Sequence, residues 1–439
     1  MPASQARPSP VAALAADYTR LRATTMALAE PLSAEDAQVQ SMPDASPTKW
    51  HLAHITWFFE TFVLERYEAG FAPFDPGFRV LYNSYYQGVG ERYPRAQRGL
   101  VTRPTLDDVK RYRRHVDARM QACIAAHAGD ADFDALVTLG LQHEQQHQEL
   151  LLTDIKHAFG CNPGRAAYAQ RWPVARVGPA PVKWFGFDAA LVEHGHDPAL
   201  DGAFCFDNET PRHKVFVAAF ELASRPASNA EYQAFIAAGG YERPELWLSQ
   251  GWDWVCQGRR TAPLYWTADA PGEWRHHTLQ GLVAIDPHTP VCHLSYFEAD
   301  AFARWSGARL PTEQEWERAA RALKAPADAL RRANFADRGA YHPLPAAAAA
   351  DEAPVQLYGD VWEWTQSSYQ AYPGFKPWPG AVGEYNGKFM VNQYVLRGGS
   401  CATPAGHVRA SYRNFFPTDA QWQFSGVRLA RNPEPPDAP

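Results

Sequence analysis

The stretch DFDALVTLGLQHEQQHQELLLTDIKHAF, Asp132–Phe159, decides how the first third of the chain folds. At its centre stand His143, Glu144, Gln145, Gln146 and His147. Residues four apart on an α-helix share one face, one turn apart. Two imidazoles at that spacing can grip one ion, and the apolar spacing of Leu136, Leu139 and Leu150 supports a helix around them. The same five residues also read as H-E-x-x-H, in which zinc is held by the two histidines and Glu144 would be the general base of a hydrolase. A third ligand is then expected downstream. His157 follows ten residues on without an intervening glycine turn, and Glu149 is too close to bend back.

Working outward, three more helices are expected upstream. One covers about 10–30, with Leu14, Tyr18, Leu21 and Leu28 on one side. The next opens at Ser46-Pro47, an N-cap followed by proline at the first helical position, and continues through KWHLAHITWFFETFVLERY. The third starts at Thr105, with Asp107 and Asp108 in its first turn, and runs to about His127. Together these read as a four-helix bundle. Helices two and four of a bundle can face each other across its core. His51 and His54, three residues apart, could therefore complete a three-histidine face with positions left open for substrate. Histidine alone does not choose between zinc and iron, nor does spacing choose between His51 and His54. The connection over about 69–104 is too long for a plain turn, and its aromatic and arginine content argues for order.

Composition narrows the class. A chain of 439 residues, 46% hydrophobic and 21% charged, is expected to fold as two or three domains. Its 15 Trp, 19 Tyr and 23 Phe suit cavity walls or the core of a loop-rich β domain. A net charge of -6, with no basic block, points away from nucleic acid and anionic lipid. There is no run of eighteen apolar residues and no secretory pattern at the amino terminus, so a cytoplasmic, non-membrane protein is expected. The six cysteines are scattered with no C-x-x-C pair, as reduced thiols would be.

Beyond Cys161 the composition turns to Pro, Gly and Ala, with a first strand or two at VKWFGF. The remainder is β-rich and irregular, broken by Gly, Pro, Asn and Asp. Two helices stand out: SNAEYQAFIAAG, capped by Ser228, and LPTEQEWERAARAL, where Thr312 and Glu315 form a capping box. PLPAAAAADEAP is expected as a surface loop and NPEPPDAP as a disordered tail.

LAHI followed by HEQQHQE resembles the DinB-like metal-binding bundle of the EgtB-type sulfoxide synthases of ergothioneine biosynthesis. FCFDNETPRHKV, SNAEYQAFI, RLPTEQEWERAAR, GDVWEWTQS, LRGGSCATP and FSGVRLAR resemble their formylglycine-generating-enzyme-like domain. The expected fold is thus multidomain: a DinB-like four-helix bundle over 10–160, a connection over 161–197, and an irregular α+β domain of C-type-lectin-like kind over 198–432. A disordered tail over 433–439 completes the expectation.

The resemblance implies an oxidoreductase that uses an iron(II) centre and dioxygen to couple a thiol to the imidazole C2 of hercynine. It makes His54, His143 and His147 the iron ligands, with His51 a neighbour in the wall. It places Gln146 and Asn414 against hercynine, with Phe415 and Phe416 as walls. Asn83-Ser84-Tyr85-Tyr86 resembles a branch in which paired tyrosines enter the active site, so Tyr85 and Tyr86 become the catalytic candidates, with Tyr372 as a secondary one. Arg95 and Arg98 match a pair that binds the carboxylate of the thiol. Relatives taking γ-glutamylcysteine carry an acidic residue after the asparagine; Phe415 and Phe416 here point to free cysteine instead. No appended methyltransferase is present, which argues against the ovothiol branch. Gly406 stands where formylglycine-generating enzymes have a second cysteine to partner one at the Cys401 position, so formylglycine chemistry is not expected. Small-molecule substrates and a possible homo-oligomer complete the expectations. A zinc hydrolase and a non-catalytic binding module are the readings left beside this one.

Overall fold

In the computed structural model, which describes residues 10–169, 180–202, 204–270, 272–346 and 353–433, the chain divides into two compact units. One holds the residues up to Asn162 and the other nearly all that follow.

The first unit is built on α1 (Pro10–Ala29), α2 (Thr48–Phe58), α3 (Leu106–His127) and α4 (Ala131–Cys161). Thr105 caps α3 through a reciprocal box with Asp108, and the Asp130 carboxylate accepts from the first amides of α4. Helices α1 and α2 each pack on both α3 and α4, so α2 meets α4 as a shared histidine face requires. Tyr18, Leu21 and Leu28 are buried on α1. On α4 the buried stripe runs through Phe133, Val137, Leu141, Leu151 and Ile155, while Leu136, Leu139 and Leu150 are only half-buried. The stripe escapes a hydrophobicity pattern because Glu144 and Gln148 lie on it. Their polar atoms are matched by Arg22, Arg113 and Thr25.

Helix α2 departs from expectation at both ends. Its N-cap is Pro47, with no side-chain cap bond. Ser46 has other partners: its amide donates to Asp154 Oδ2 at 2.8 Å, and its hydroxyl accepts from Arg98 at 2.9 Å. After Phe58 the helix widens into a π-turn, Phe59–Leu64. Such turns are uncommon and cluster at functional sites. Here the widened turn carries Phe59 against Gly140 of α4, where an added Cβ would stand 2.5 Å from the Phe59 ring.

The connection over 69–104 is ordered as short helical turns at Phe78–Leu81, Gln87–Val89 and Arg95–Leu100. Asn83 holds its centre. Its side-chain oxygen accepts from the Tyr86 amide, and its nitrogen donates to the carbonyls of Tyr86, Gly90 and Glu91.

The second unit is an irregular α+β fold of short strands. β1 (Trp184–Phe187) pairs with β4 (Phe220–Ala223), and β2 (Ala190–His194) pairs with β3 (His213–Val217). β1 falls on VKWFGF, where a strand is expected, and β2 lies in the same connecting stretch. β5 (Trp266–Ala270), β6 (Glu273–Thr278) and β7 (Gly281–Ala284) form an antiparallel sheet. β8 (Trp362–Ser368), β9 (Gln393–Arg397), β10 (Asn414–Pro417) and β11 (Ser425–Gly426) form another, ordered β10-β9-β8-β11. β12 (Ala430–Arg431) closes the first sheet on β4.

The expected N-cap Ser228 is present on α5 (Asn229–Ala237), in a capping box with Glu231, and the expected box at Thr312 caps a later helix, Glu313–Arg321. Two further helices, Ser249–Gly258 and Tyr296–Trp305, were not anticipated from the sequence.

The motifs of this half owe their residues to packing. Arg428 of FSGVRLAR forms a fully buried pair with Glu363 of GDVWEWTQS, and Trp316 donates to the same carboxylate. Residues 347–352 of the alanine loop and 434–439 of the tail lie outside the described residues. Among the described residues no helix is long and apolar enough to cross a membrane, and none of the six cysteines is in a disulfide.

Candidate metal centre

Helix α2 carries His51 and His54 one turn apart, and α4 carries His143 and His147. Where the two helices meet, His54, His143 and His147 each offer a ring nitrogen, and these nitrogens lie within 4.8 Å of one another. His54 and His143 are buried, and His147 is half-buried. His51 is not in this set. It lies behind His147, with the two Nδ1 atoms 2.8 Å apart.

The environment keeps the three rings neutral, the form a metal ligand needs. Burial, then the neighbouring histidines, push His54 and His147 well below the usual imidazole range. Burial lowers His143 to about 4. The His54 Nδ1–H donates to the Tyr82 carbonyl at 2.6 Å, which leaves Nε2 with its lone pair free for a ligand bond. The Nδ1 of His143 is buried with no hydrogen-bond partner. No thiolate or carboxylate belongs to the set. Three neutral nitrogen donors in a buried pocket fit a divalent transition metal such as iron(II) or zinc.

Glu144 does not face this work. Its carboxylate is buried and bonded to Arg113 at 2.6 Å, Arg22 at 2.9 Å and Thr25 at 2.6 Å. Burial pushes its pKa up, but Arg113 and Arg22 outweigh that and hold it at about 2. A hydrolytic general base must sit near neutral pKa and reach water. Glu144 does neither, so the zinc-hydrolase reading loses its base. His157, the downstream alternative ligand, bonds Ser41 instead.

Around the triad the aromatic residues stack. Trp50 lies on His54 with centroids 4.5 Å apart and planes at 12°, and Trp57 lies on His54 from 5.5 Å. Tyr86 is buried against Trp57 and Phe62. Tyr85 is half-buried, and its hydroxyl accepts from Arg95 at 2.9 Å.

Arg98 is buried and lies over the Trp50 ring at 3.3 Å, donating to Ser46 and Ser84. Burial lowers its pKa to about 9, against a weaker opposing pull from Tyr85 and Asp154, and among the described residues no carboxylate lies in ion-pair contact with it. The Nε atoms of Arg95 and Arg98 are both buried without an acceptor. A buried guanidinium lacking its anion is costly unless something supplies one. Gln146 is half-buried on α4, one residue before His147.

The remaining expected residues belong to the second unit. Asn414 opens β10 opposite Leu396, and its oxygen accepts from the Phe415 amide. Phe415 stacks on Tyr369 at 4.0 Å, and Phe416 meets Trp422 edge-on. Tyr372 is buried in a polar cluster, where its hydroxyl meets His194 at 2.8 Å and also contacts Glu313 and Arg397. That cluster explains a tyrosine at this position without any catalytic part.

The DinB superfamily pattern matches residues 17–151, and the sulfatase-modifying factor enzyme 1-like domain matches residues 187–433. The hercynine oxygenase of Mycolicibacterium thermoresistibile is 34% identical, over 90% of each chain. That of Mycobacterium tuberculosis is also 34% identical, over 95% of this chain and 98% of its own. The chain belongs to the hercynine oxygenase family. Similarity also extends to the ergothioneine biosynthesis protein 1 of Schizosaccharomyces pombe, 29% identical over 52% of this chain and 28% of that protein. As a member of the hercynine oxygenase family the chain is an oxidoreductase. The formylglycine-generating enzyme of Mycobacterium tuberculosis, by contrast, matches only 39% of this chain.

The residues that hold the site from behind give little sign of that role in the sequence. Asp154 stands seven residues after His147, two turns along the same face, a spacing that could have marked it. Trp50, Ser46 and Ser84 show their part only through Arg98, which lies over Trp50 and donates to both serines.

Proposed function

We propose that the chain is an iron(II)-dependent sulfoxide synthase that joins cysteine to the imidazole C2 of hercynine with dioxygen. One observation carries the reading: three neutral imidazoles converge from two packed helices in a chain that matches hercynine oxygenases over nearly its whole length. The overall change balances without another reductant. The thiol and the C2 carbon each lose one hydrogen, one oxygen atom goes to sulfur, and the other leaves as water.

His54, His143 and His147 would hold the metal. Bound iron(II) would supply the redox chemistry that passes electrons from the two substrates to dioxygen. Everything else falls to the chain. The buried Arg98 guanidinium, with Arg95 beside it, binds the carboxylate of cysteine and thereby fixes where its sulfur lies. Tyr85 or Tyr86 delivers the proton needed by the oxygen atom that leaves as water. The Trp50 and Trp57 rings keep the pocket dry, which strengthens each of these charge contacts. Gln146 turns toward hercynine from α4. The roles of Asn414, Phe415 and Phe416 rest on the family resemblance alone, as does cysteine over γ-glutamylcysteine.

The test is oxygen uptake by protein reconstituted anaerobically with iron(II). Uptake is expected only when hercynine and cysteine are both present, with γ-glutamylcysteine a poor competitor. Uptake that ignores hercynine, or none at all, overturns the reading.

A further inference from the structure

Behind the triad, a second histidine and a carboxylate form a hydrogen-bonded line. Asp154 Oδ2 lies 3.0 Å from His51 Nε2, and His51 Nδ1 lies 2.8 Å from His147 Nδ1. Both residues behind His147 are internal: His51 is 2% exposed and Asp154 5%. The carboxylate fixes the order of protons. A carboxylate only accepts, so His51 must carry its proton on Nε2. With its Nε2–H turned to the carboxylate, His51 presents Nδ1 to His147, whose Nδ1–H donates to it. That leaves the lone pair of His147 on Nε2, the atom free for a ligand bond.

The carboxylate is itself anchored, because Asp154 Oδ2 also accepts from the Ser46 amide at 2.8 Å. Asp154 therefore pins the start of α2 to the far part of α4, and the line cannot slide. The rings of His51 and His147 are tilted 58° to each other, so the contact acts through nitrogens and not through stacking.

We infer that His51 and Asp154 are positioning residues that select the tautomer and set the ring angle of His147, and so raise the affinity of the triad for metal. The inference rests on the reading of His54, His143 and His147 as the metal-holding set. It separates His51 from the ligands by function: two histidines on one helix face take different tasks, one toward the ion and one toward a ligand of the ion.

Cobalt(II) binding to the purified full chain tests this, read by chelator competition and by the visible ligand-field spectrum. The wild type is expected to bind one cobalt, and His54→Ala to lose it. His51→Phe keeps a ring but offers no acceptor, and is expected to bind about 10–100-fold more weakly with a shifted spectrum. His51→Asn places an oxygen near the Nδ1 position and is expected to stay within a few-fold of the wild type. Asp154→Leu should behave like His51→Phe, and it reads the same line if His51→Phe does not fold.

Wild-type affinity and spectrum in both His51→Phe and Asp154→Leu would overturn the inference alone. Equal weakening in His51→Asn and His51→Phe would also overturn it, since that is the mark of a packing role. A wild type that binds no cobalt overturns the metal reading of the triad as well.

Discussion

Glu144 and Arg113 are joined by a 2.6 Å hydrogen bond in the middle of the bundle, and neither side chain reaches solvent. The residue that gives the HEQQH motif its hydrolase look is thus the hub of an ion cluster linking α1, α3 and α4. Removing one partner of a buried pair strands the other charges. Glu144→Ala is expected to lose about 3–5 kcal/mol of stability in a urea titration. Turnover per folded molecule of Glu144→Gln should stay within a few-fold of the wild type if the variant folds. A hydrolase with Glu144 as base would show the reverse, a stable and dead protein.

Acid should destabilise the fold in a recognisable order. His407 is held at about 3 and His194 at about 4, chiefly by burial. Below pH 6.5 the unfolded chain binds protons at these rings that the folded chain refuses, so stability falls as pH drops. Each ring contributes a slope of about 1.4 kcal/mol per pH unit, ending near its folded value. Glu144 joins later: its depressed pKa stabilises the fold above pH 4.5, and that contribution is lost toward about 2. His407→Gln should flatten the decline of the urea midpoint between pH 6.5 and 4.

Arg98 is expected to govern the thiol and not hercynine. Arg98→Gln should raise KM for cysteine by about 10–100-fold, the range of one or two charge-assisted hydrogen bonds. KM for hercynine should move little. Arg98→Lys should fail to rescue, because an ammonium cannot lie flat on Trp50 while reaching Ser46 and Ser84 together. Steady-state kinetics with each substrate varied in turn decides it.

Gly140 sets how closely α4 approaches the π-turn after α2. With the Phe59 ring 2.5 Å from an added methyl group, Gly140→Ala must push aromatic rings apart. A loss of about 1–3 kcal/mol is expected, read as a lowered thermal midpoint.

Tyr85 and Tyr86 differ in setting, and single phenylalanine variants can tell them apart. Loss of the proton donor is expected to shift product from sulfoxide toward cysteine sulfinate in at least one of them. Tyr86→Phe keeps the stacking on Trp57 and Phe62, so a changed product ratio there would report the hydroxyl alone. Chromatography of the two products measures the partition, and an unchanged ratio in both variants removes them from the mechanism.

Much of this was legible in the chain. The i, i+4 histidine pair, the helix start at Thr105, the N-cap at Ser228 and the capping box at Thr312 are local signals, set by a few adjacent residues, and each recurs in the structure. The S-x-x-E pattern at Ser295 and Glu298 is equally local and was overlooked. What stayed hidden depends on partners distant in sequence. Periodicity puts His51 and His54 on one face alike; only the position of Asp154 on another helix separates them. Ser46 looks like a cap until Arg98, 52 residues away, takes its hydroxyl. The spacing of Leu136 and Leu139 marks the helix but not its buried face, because the buried stripe of α4 includes Glu144 and Gln148, whose polar atoms are met by Arg22 and Thr25 of α1 and Arg113 of α3.

Asn83 gives the tyrosine-bearing connection a property that its composition does not suggest. Its one side chain closes four bonds to the surrounding backbone. The entropy of ordering that segment is therefore lost during folding, and not again at each turnover. On the proposed function, a substrate arriving here would meet a wall already standing, so binding free energy would not be diverted to building it. Discrimination between thiols would then rest on fit to a fixed shape.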